Sequence, residues 1–327
     1  MSYTKGIMSR PTLKSNDKKI HARVRLFFTG FTMGLVDLIP GVSGGTIAFL
    51  FGIYDELLYS IKVMSGQVPR LLLQGKFRAA YQAIPFSFLL PLVLGIALAI
   101  FSLVQIVTFF LENYPVQVWA VFFGLVVGSV LVVSKRVALW NVNRWLLLFA
   151  GFLLTYLVLG LPVMNTEATP LVLFATGAIA ILAMILPGIS GSLIMVILGQ
   201  YEAVIGAVAE RNIMKMFFFA SGAILGLALF ARLLSWLLRN YHSAVIAFLI
   251  GVMIGSLRRI WPWQTEQADG TVMNMLPAFD ASLLSALILA VGGFVIVWRL
   301  EKIGIAREHN EDIETKEYAR EVRAQHN

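Results

Sequence analysis

The chain has 327 residues, of which 58% are hydrophobic and only 13% charged, about half the charged share of a soluble domain. It holds no cysteine, which excludes a disulfide framework, a thiolate metal site and a cysteine nucleophile. The formal charge of +8 does not signal nucleic acid, because the basic residues collect at the N-terminus, in short loops and in the C-terminal tail, as cytoplasmic segments do under the positive-inside rule.

In chain order, residues 1–23 are polar, with no apolar core before Leu26. They read as a cytoplasmic tail and not as a cleaved signal. A broken apolar segment follows at about 26–60. Its centre, DLIPGVSGGTIAFLFGIYDE from Asp37 to Glu56, carries a proline, four glycines, a serine and acids. Residues 62–84 alternate basic residues with Leu and Phe clusters, the pattern of a helix lying on a membrane surface. Three solidly apolar runs come next, roughly 85–111, 117–134 and 145–163. Each approaches or exceeds the length that spans a bilayer as a helix. A second broken segment covers about 171–208, and three more runs lie at roughly 213–238, 243–260 and 281–299. Residues 300–327 form a charged tail. Unbroken apolar runs without alternation mark an all-α polytopic membrane protein, not a β-barrel.

The two broken segments match each other. LIPGVSGGTIAFLFGIYD (Leu38–Asp55) and ILPGISGSLIMVILGQYE (Ile185–Glu202) are identical at seven of 18 positions with a shift of 147. GLVVGS (Gly124–Ser129) matches GVMIGS (Gly251–Ser256) with a shift of 127. The two shifts differ by 20 residues, the size of an insertion near 62–84. The chain therefore reads as two repeats, 24–163 and 170–299, each a re-entrant hairpin plus three crossings. Charge sets the layout. If each hairpin enters and leaves on one side, both termini and the 62–84 and 134–144 loops are cytoplasmic, and only ERNIMK (Glu210–Lys215) and Arg258/Arg259 dissent. Three crossings per repeat invert the second repeat relative to the first.

At each hairpin a proline ends the first helix and glycines permit the turn: Pro40 and Gly41, then Pro187 and Gly188. From Arg25 to Asp37 is about 18 Å of helix, enough to reach mid-bilayer. A new helix then starts at Ser43, Gly44, Gly45 and Thr46, and its counterpart at Ser190, Gly191 and Ser192. Helix starts offer free N–H groups and a positive dipole end to an anion. Two meeting from opposite sides would form a pocket for a phosphate or other small anion. The bland alternative is a tight turn between packed helices. Asp37, an acid near membrane depth with Met184 in the matching place, reads as a proton carrier, a counter-charge or a cap; Glu202 is a second coupling candidate. Arg258 and Arg259 read as a phosphate grip or as a helix-end anchor beside Trp261 and Trp263. Arg232 reads as a snorkelling side chain, and Tyr54 and Tyr201 as hairpin anchors. Gly124/Gly128 and Gly251/Gly255 read as packing faces. No HExxH or Walker A pattern and no metal-ligand spacing occurs, so neither metal nor cofactor is expected.

Taken together, GLVDLIPGVSGGTIAFLFGIYDELL, AMILPGISGSLIMVILGQYEAV and LLRNYHSAVIAFLIGVMIGSLRRIWPW resemble the bacterial polyprenyl-phosphate transporter family of the PopT type, over about residues 24–300. The resemblance implies a flippase that returns undecaprenyl phosphate from the outer to the inner leaflet of the cytoplasmic membrane, recycling the carrier for peptidoglycan and other envelope polymers. It also implies a lipid ligand, with membrane lipids around it, and leaves a homo-oligomer open. The residues alone imply only a transporter with an anion site. They leave as rivals a channel or exchanger for a small inorganic anion, a lipid-phosphate phosphatase and a scaffold.

Overall fold

The computed structural model describes residues 12–38, 43–267, 272–299 and 302. Pro40, Gly41, residues 1–11 and all of the C-terminal tail except residue 302 lie outside the described residues, while residues 12–23 of the expected N-terminal tail already belong to the first helix.

The first broken segment comprises α1 (Thr12–Asp37), α2 (Gly44–Leu50) and α3 (Tyr54–Lys62). The second comprises α9 (Pro170–Ile185), α10 (Gly191–Ile197) and α11 (Tyr201–Ala209). One break per hairpin was expected; the structure has two. The extra breaks fall at Gly52 and Gly199, whose φ values of +72° and +69° place them in the left-handed region that favours glycine. At the second of these, the axis turns by 114° between α10 and the following helix. A surface helix over 62–84 was also expected. Instead, a π-turn (Val63–Gln67) leads into α4 (Val68–Leu73) and α5 (Phe77–Ala83). Pro69 has no N–H to donate to a continuous helix, and Gly75 turns the chain with φ +69°.

The long apolar helices are α6 (Phe86–Asn113), α7 (Pro115–Ser134), α12 (Ile213–Ser256) and α13 (Ala281–Arg299). α8 (Val142–Val158) is shorter and apolar. Straight, the 44 residues of α12 would run about 66 Å, twice a bilayer core. Tyr241, at φ −134° and ψ 39°, breaks it into two helices, between the predicted runs 213–238 and 243–260. These spans keep many large apolar side chains exposed, such as Leu90, Phe101, Leu229 and Ile288. Such continuous apolar surface faces lipid, and the molecule is a multi-pass membrane protein. After α12, β1 (Gln264–Glu266) and β2 (Val272–Asn274) form an antiparallel hairpin that the sequence reading did not anticipate. It closes the end of α12: Gln264 Nε2 donates to Arg259 O at 2.7 Å and Asn274 Nδ2 to Arg258 O at 3.0 Å.

Helices meet at glycines, and the same meetings occur in both halves. A methyl group at Gly30 would overlap the Leu92 oxygen, and one at Gly95 the Phe27 oxygen, so α1 and α6 touch backbone to backbone. Gly177 meets Phe219 and Gly222 meets Phe174 in the same way, joining α9 to α12. These pairs obey the shifts of 147 and 127 found in the sequence. The remaining helices exchange partners. Gly124 and Gly293 join α7 to α13 through Ala290 and Val121, while Gly151 and Gly251 join α8 to the second part of α12 through Phe248 and Leu148. Each half thus packs its second long helix against the third helix of the other. Small residues let apolar helices approach this closely where burying apolar surface gives no advantage over lipid.

Candidate functional site

The helix that follows the first PGxSG motif meets the second motif's turn. The Gly188 N–H donates to Thr46 Oγ1 at 2.8 Å. Ser43 Oγ donates to Met184 O at 3.2 Å, and Tyr54 Oη to Ile185 O at 2.8 Å. These bonds tie the starts of α2 and α3 to the end of α9 and the turn after it, across 131 to 142 residues. Both carbonyls belong to the last turn of α9, where no intrahelical donor remains. Gly188 sits at φ +93°, and a methyl group there would stand 2.9 Å from Ser256 Oγ of α12. Ser43, Thr46 and Gly188 are buried, so each polar group at this junction needs its partner.

The two helix starts differ. Ser43, extended at φ −122°, caps α2, its Oγ accepting from Gly45 N at 3.1 Å. Asp37 Oδ1 accepts from Gly44 N at 2.6 Å. A carboxylate here is the natural partner of the positive end of a helix. Gly44 makes room for it: a methyl group there would stand 2.6 Å from Asp37 Oδ2. Asp37 itself is exposed. At the other end of α2, Arg136 donates to Phe49 O at 3.2 Å and Leu50 O at 3.3 Å, and Arg25 to Phe51 O at 2.9 Å. Both ends of a seven-residue helix are therefore matched by opposite charge. The sequence reading did not assign Arg136 or Arg25 this role. Arg136 follows the helix by more than 80 residues, and no local signal links them.

Around α10 the arrangement is uncharged. Ser190 occupies the cap position but its Oγ pairs with Ser192 Oγ at 2.7 Å. The Met184 side chain lies against Gly191, where Asp37 lies against Gly44 in the first copy. The N–H groups of Gly191 and Ser192 have no partner among the described residues. The far end is closed by an extended segment: Met164 N donates to Ile197 O at 2.8 Å and Thr166 Oγ1 to Leu198 O at 2.9 Å.

The other candidates stand apart from this junction. Arg258 donates to Tyr156 O at 3.1 Å, and its guanidinium lies 4.5 Å from the centre of the Tyr156 ring, at the end of α8. It follows Ser256, which faces Gly188, by two residues. Arg259 continues the same turn. Glu202 is exposed in the first turn of α11 and lines a 560 Å³ cavity with Tyr201, Asn165 and Glu167. No cluster of three or more His, Asp or Glu side chains that could hold a metal occurs among the described residues.

A family model described as VCA0040-like, undecaprenyl phosphate translocase-like, matches residues 33–276. A polyprenyl-phosphate transporter of Vibrio cholerae is 36% identical over 293 residues, covering 84% of this chain and 95% of its own. One from Staphylococcus aureus is 28% identical over 302 residues, covering 85% and 96%. No solved structure matches. With the doubled PGxSG junction and the glycine-packed spans in place, the chain belongs to the VCA0040-like, undecaprenyl phosphate translocase-like family.

Proposed function

We infer that the protein is a flippase for a polyprenyl phosphate, undecaprenyl phosphate, in a bacterial cytoplasmic membrane. It moves the phosphate head from the outer to the inner leaflet and so recycles the carrier lipid for peptidoglycan and other envelope polymers. The relatives named polyprenyl-phosphate transporters support the substrate class.

The observation that carries a mechanism is the contact between the two hairpins, Gly188 N–H on Thr46 Oγ1. It joins the start of α2 to the turn that precedes α10. In our reading the repeats 24–163 and 170–299 are inverted, both termini are cytoplasmic, and this contact lies near the bilayer midplane. The phosphate engages the uncapped start of α10 at Ser190, Gly191 and Ser192 first. It then competes with Asp37 for the start of α2 at Ser43, Gly44, Gly45 and Thr46. The second turn bends at Pro187 and Gly188; Pro40 and Gly41, in the matching place, lie outside the described residues. A monoester carries between one and two negative charges, more than two half-charged helix ends neutralise. Arg258 or Arg259 supplies the remainder, with Asp37 and Glu202 as counter-charges. The isoprenoid tail stays in the lipid throughout.

The test is reconstitution of the full chain in liposomes with a labelled polyprenyl phosphate and a leaflet-resolved readout. Protein-dependent transfer between leaflets is expected. Passage of chloride or inorganic phosphate without lipid transfer points to an anion channel, and release of phosphate from the lipid points to a phosphatase. Arg258→Lys or Arg259→Lys impairs transfer where the guanidinium grips phosphate through two parallel bonds, which lysine cannot make.

A further inference from the structure

A second basic site lies away from the PGxSG junction, where α3 packs against α12 beside the break at Tyr241. A cavity of 290 Å³ there is lined by Asp55, Tyr59, Lys62, Ser235, Arg239 and His242, among others. Ser235 Oγ is buried and without a partner. Arg239 spends only its Nε, donating to Ser235 O at 3.3 Å. Among the described residues no ion pair joins Asp55 to Lys62, Arg239 or His242. The cavity thus combines unpaired cations with a spare buried hydroxyl, which are the donors an oxyanion uses.

A largely apolar exposed stripe of α12 runs beside the cavity and meets it at Arg239. Leu225, Leu229, Arg232, Trp236 and Arg239 recur at alternating spacings of four and three and are all exposed, so they form one stripe. Arg232 lies two turns before Arg239, with its guanidinium against Gly66 of the π-turn that follows Lys62. Lys62, Arg232, Arg239 and Asp55 together leave a net charge of +2. That matches a phosphate monoester, at about −1.5 to −2, better than a phosphodiester of charge −1. An apolar stripe leading up to a basic cavity suits a molecule with a hydrocarbon tail and a phosphate head.

We propose that this cleft is a second docking site for the head of a lipid phosphate monoester, with its chain lying along Leu225, Leu229 and Trp236. On the layout above it opens to the cytoplasmic leaflet and serves as the station where the head leaves the protein. The proposal rests on the reading of the chain as a lipid-phosphate carrier for the identity of the lipid.

The experiment measures binding of farnesyl phosphate to the full chain in phosphatidylcholine nanodiscs, for the parent, for the double variant Lys62→Gln/Arg239→Gln and for Arg232→Gln. The parent is expected to bind two equivalents. The double variant keeps one, and Arg232→Gln weakens the second about tenfold, the loss of one charge-assisted bond. These side chains are all at least partly exposed, and equal melting temperatures confirm that the variants fold. Stoichiometry and affinity unchanged in both variants overturn the site. Displacement by phosphatidylglycerol or by inorganic phosphate at the same concentration also overturns it, as a general anionic-lipid contact or a free-anion site. A single equivalent that the double variant abolishes supports this cleft and instead overturns binding at the PGxSG junction. No binding to the parent overturns both.

Discussion

The Asp37 carboxylate accepts from the Gly44 N–H at 2.6 Å, so the protein's own anion sits where a bound phosphate would engage the first helix start. Its counterpart Met184 is uncharged, and the start of α10 is open. An incoming phosphate therefore meets one free helix end and one that must be released. Protonating Asp37 weakens its hold, so transport by the parent should rise as pH falls through the titration of this carboxylate. Asp37→Asn carries no such charge and should lose that part of the profile. Leaflet-transfer rates across a pH series test this, and parallel profiles would show that Asp37 is only a cap.

The two motif serines should separate stability from transport. Ser43 caps α2 and bonds the end of α9, so Ser43→Ala should cost about 1 kcal/mol in thermal unfolding. Ser190 makes no cap bond and pairs only with Ser192 Oγ, so Ser190→Ala should lower the melting temperature less than Ser43→Ala does. It should still slow transfer if its hydroxyl meets the substrate.

Thr46 is buried and accepts the Gly188 N–H. Thr46→Val keeps the shape but leaves that donor unsatisfied, at a cost of about 1–3 kcal/mol. Thr46→Ser restores the oxygen and should recover most of the loss. Denaturation in detergent compares the three proteins directly.

Glycine substitutions should sort by contact. Gly95→Ala, Gly177→Ala or Gly251→Ala places a methyl group against a carbonyl of the neighbouring helix and should destabilise by about 1–3 kcal/mol. Gly206 and Gly292 have nothing within 4 Å of such a methyl group, and both sit in helices. Gly206→Ala and Gly292→Ala should be neutral or stabilising by up to about 1 kcal/mol. Melting temperatures of the five variants decide the matter.

Arg136 caps the last carbonyls of α2 and lies 5.8 Å from the Phe49 ring centre. Arg136→Met keeps apolar contact but removes the charge at the negative helix end, for a loss of about 1 kcal/mol. Native-state hydrogen exchange should show the effect concentrated in residues 44–53 rather than spread over the spans.

The apolar runs, one break per hairpin and the doubled motif were legible in the chain itself, because each depends on neighbours in sequence; the second break of each hairpin, at Gly52 and Gly199, was not anticipated. Apolar runs mark the crossings, Pro and Gly stop helices locally, and PGxSG recurs at a fixed shift. Even the glycine contacts had a signal, since Gly30 and Gly177, like Gly95 and Gly222, obey the same shifts as the motifs. The partners were another matter. That Tyr54 reaches Ile185, that Arg136 closes α2, and that α7 packs on α13 while α8 packs on α12 join residues from about 80 to 170 positions apart. A broken helix in an apolar medium leaves N–H and C=O groups that must be satisfied. Which donor or acceptor satisfies each one is settled by what the tertiary fold brings alongside. The carboxylate at the start of α2 is local, seven residues before Gly44 and with Met184 in the matching place; only the packing brought that helix start against the turn before α10.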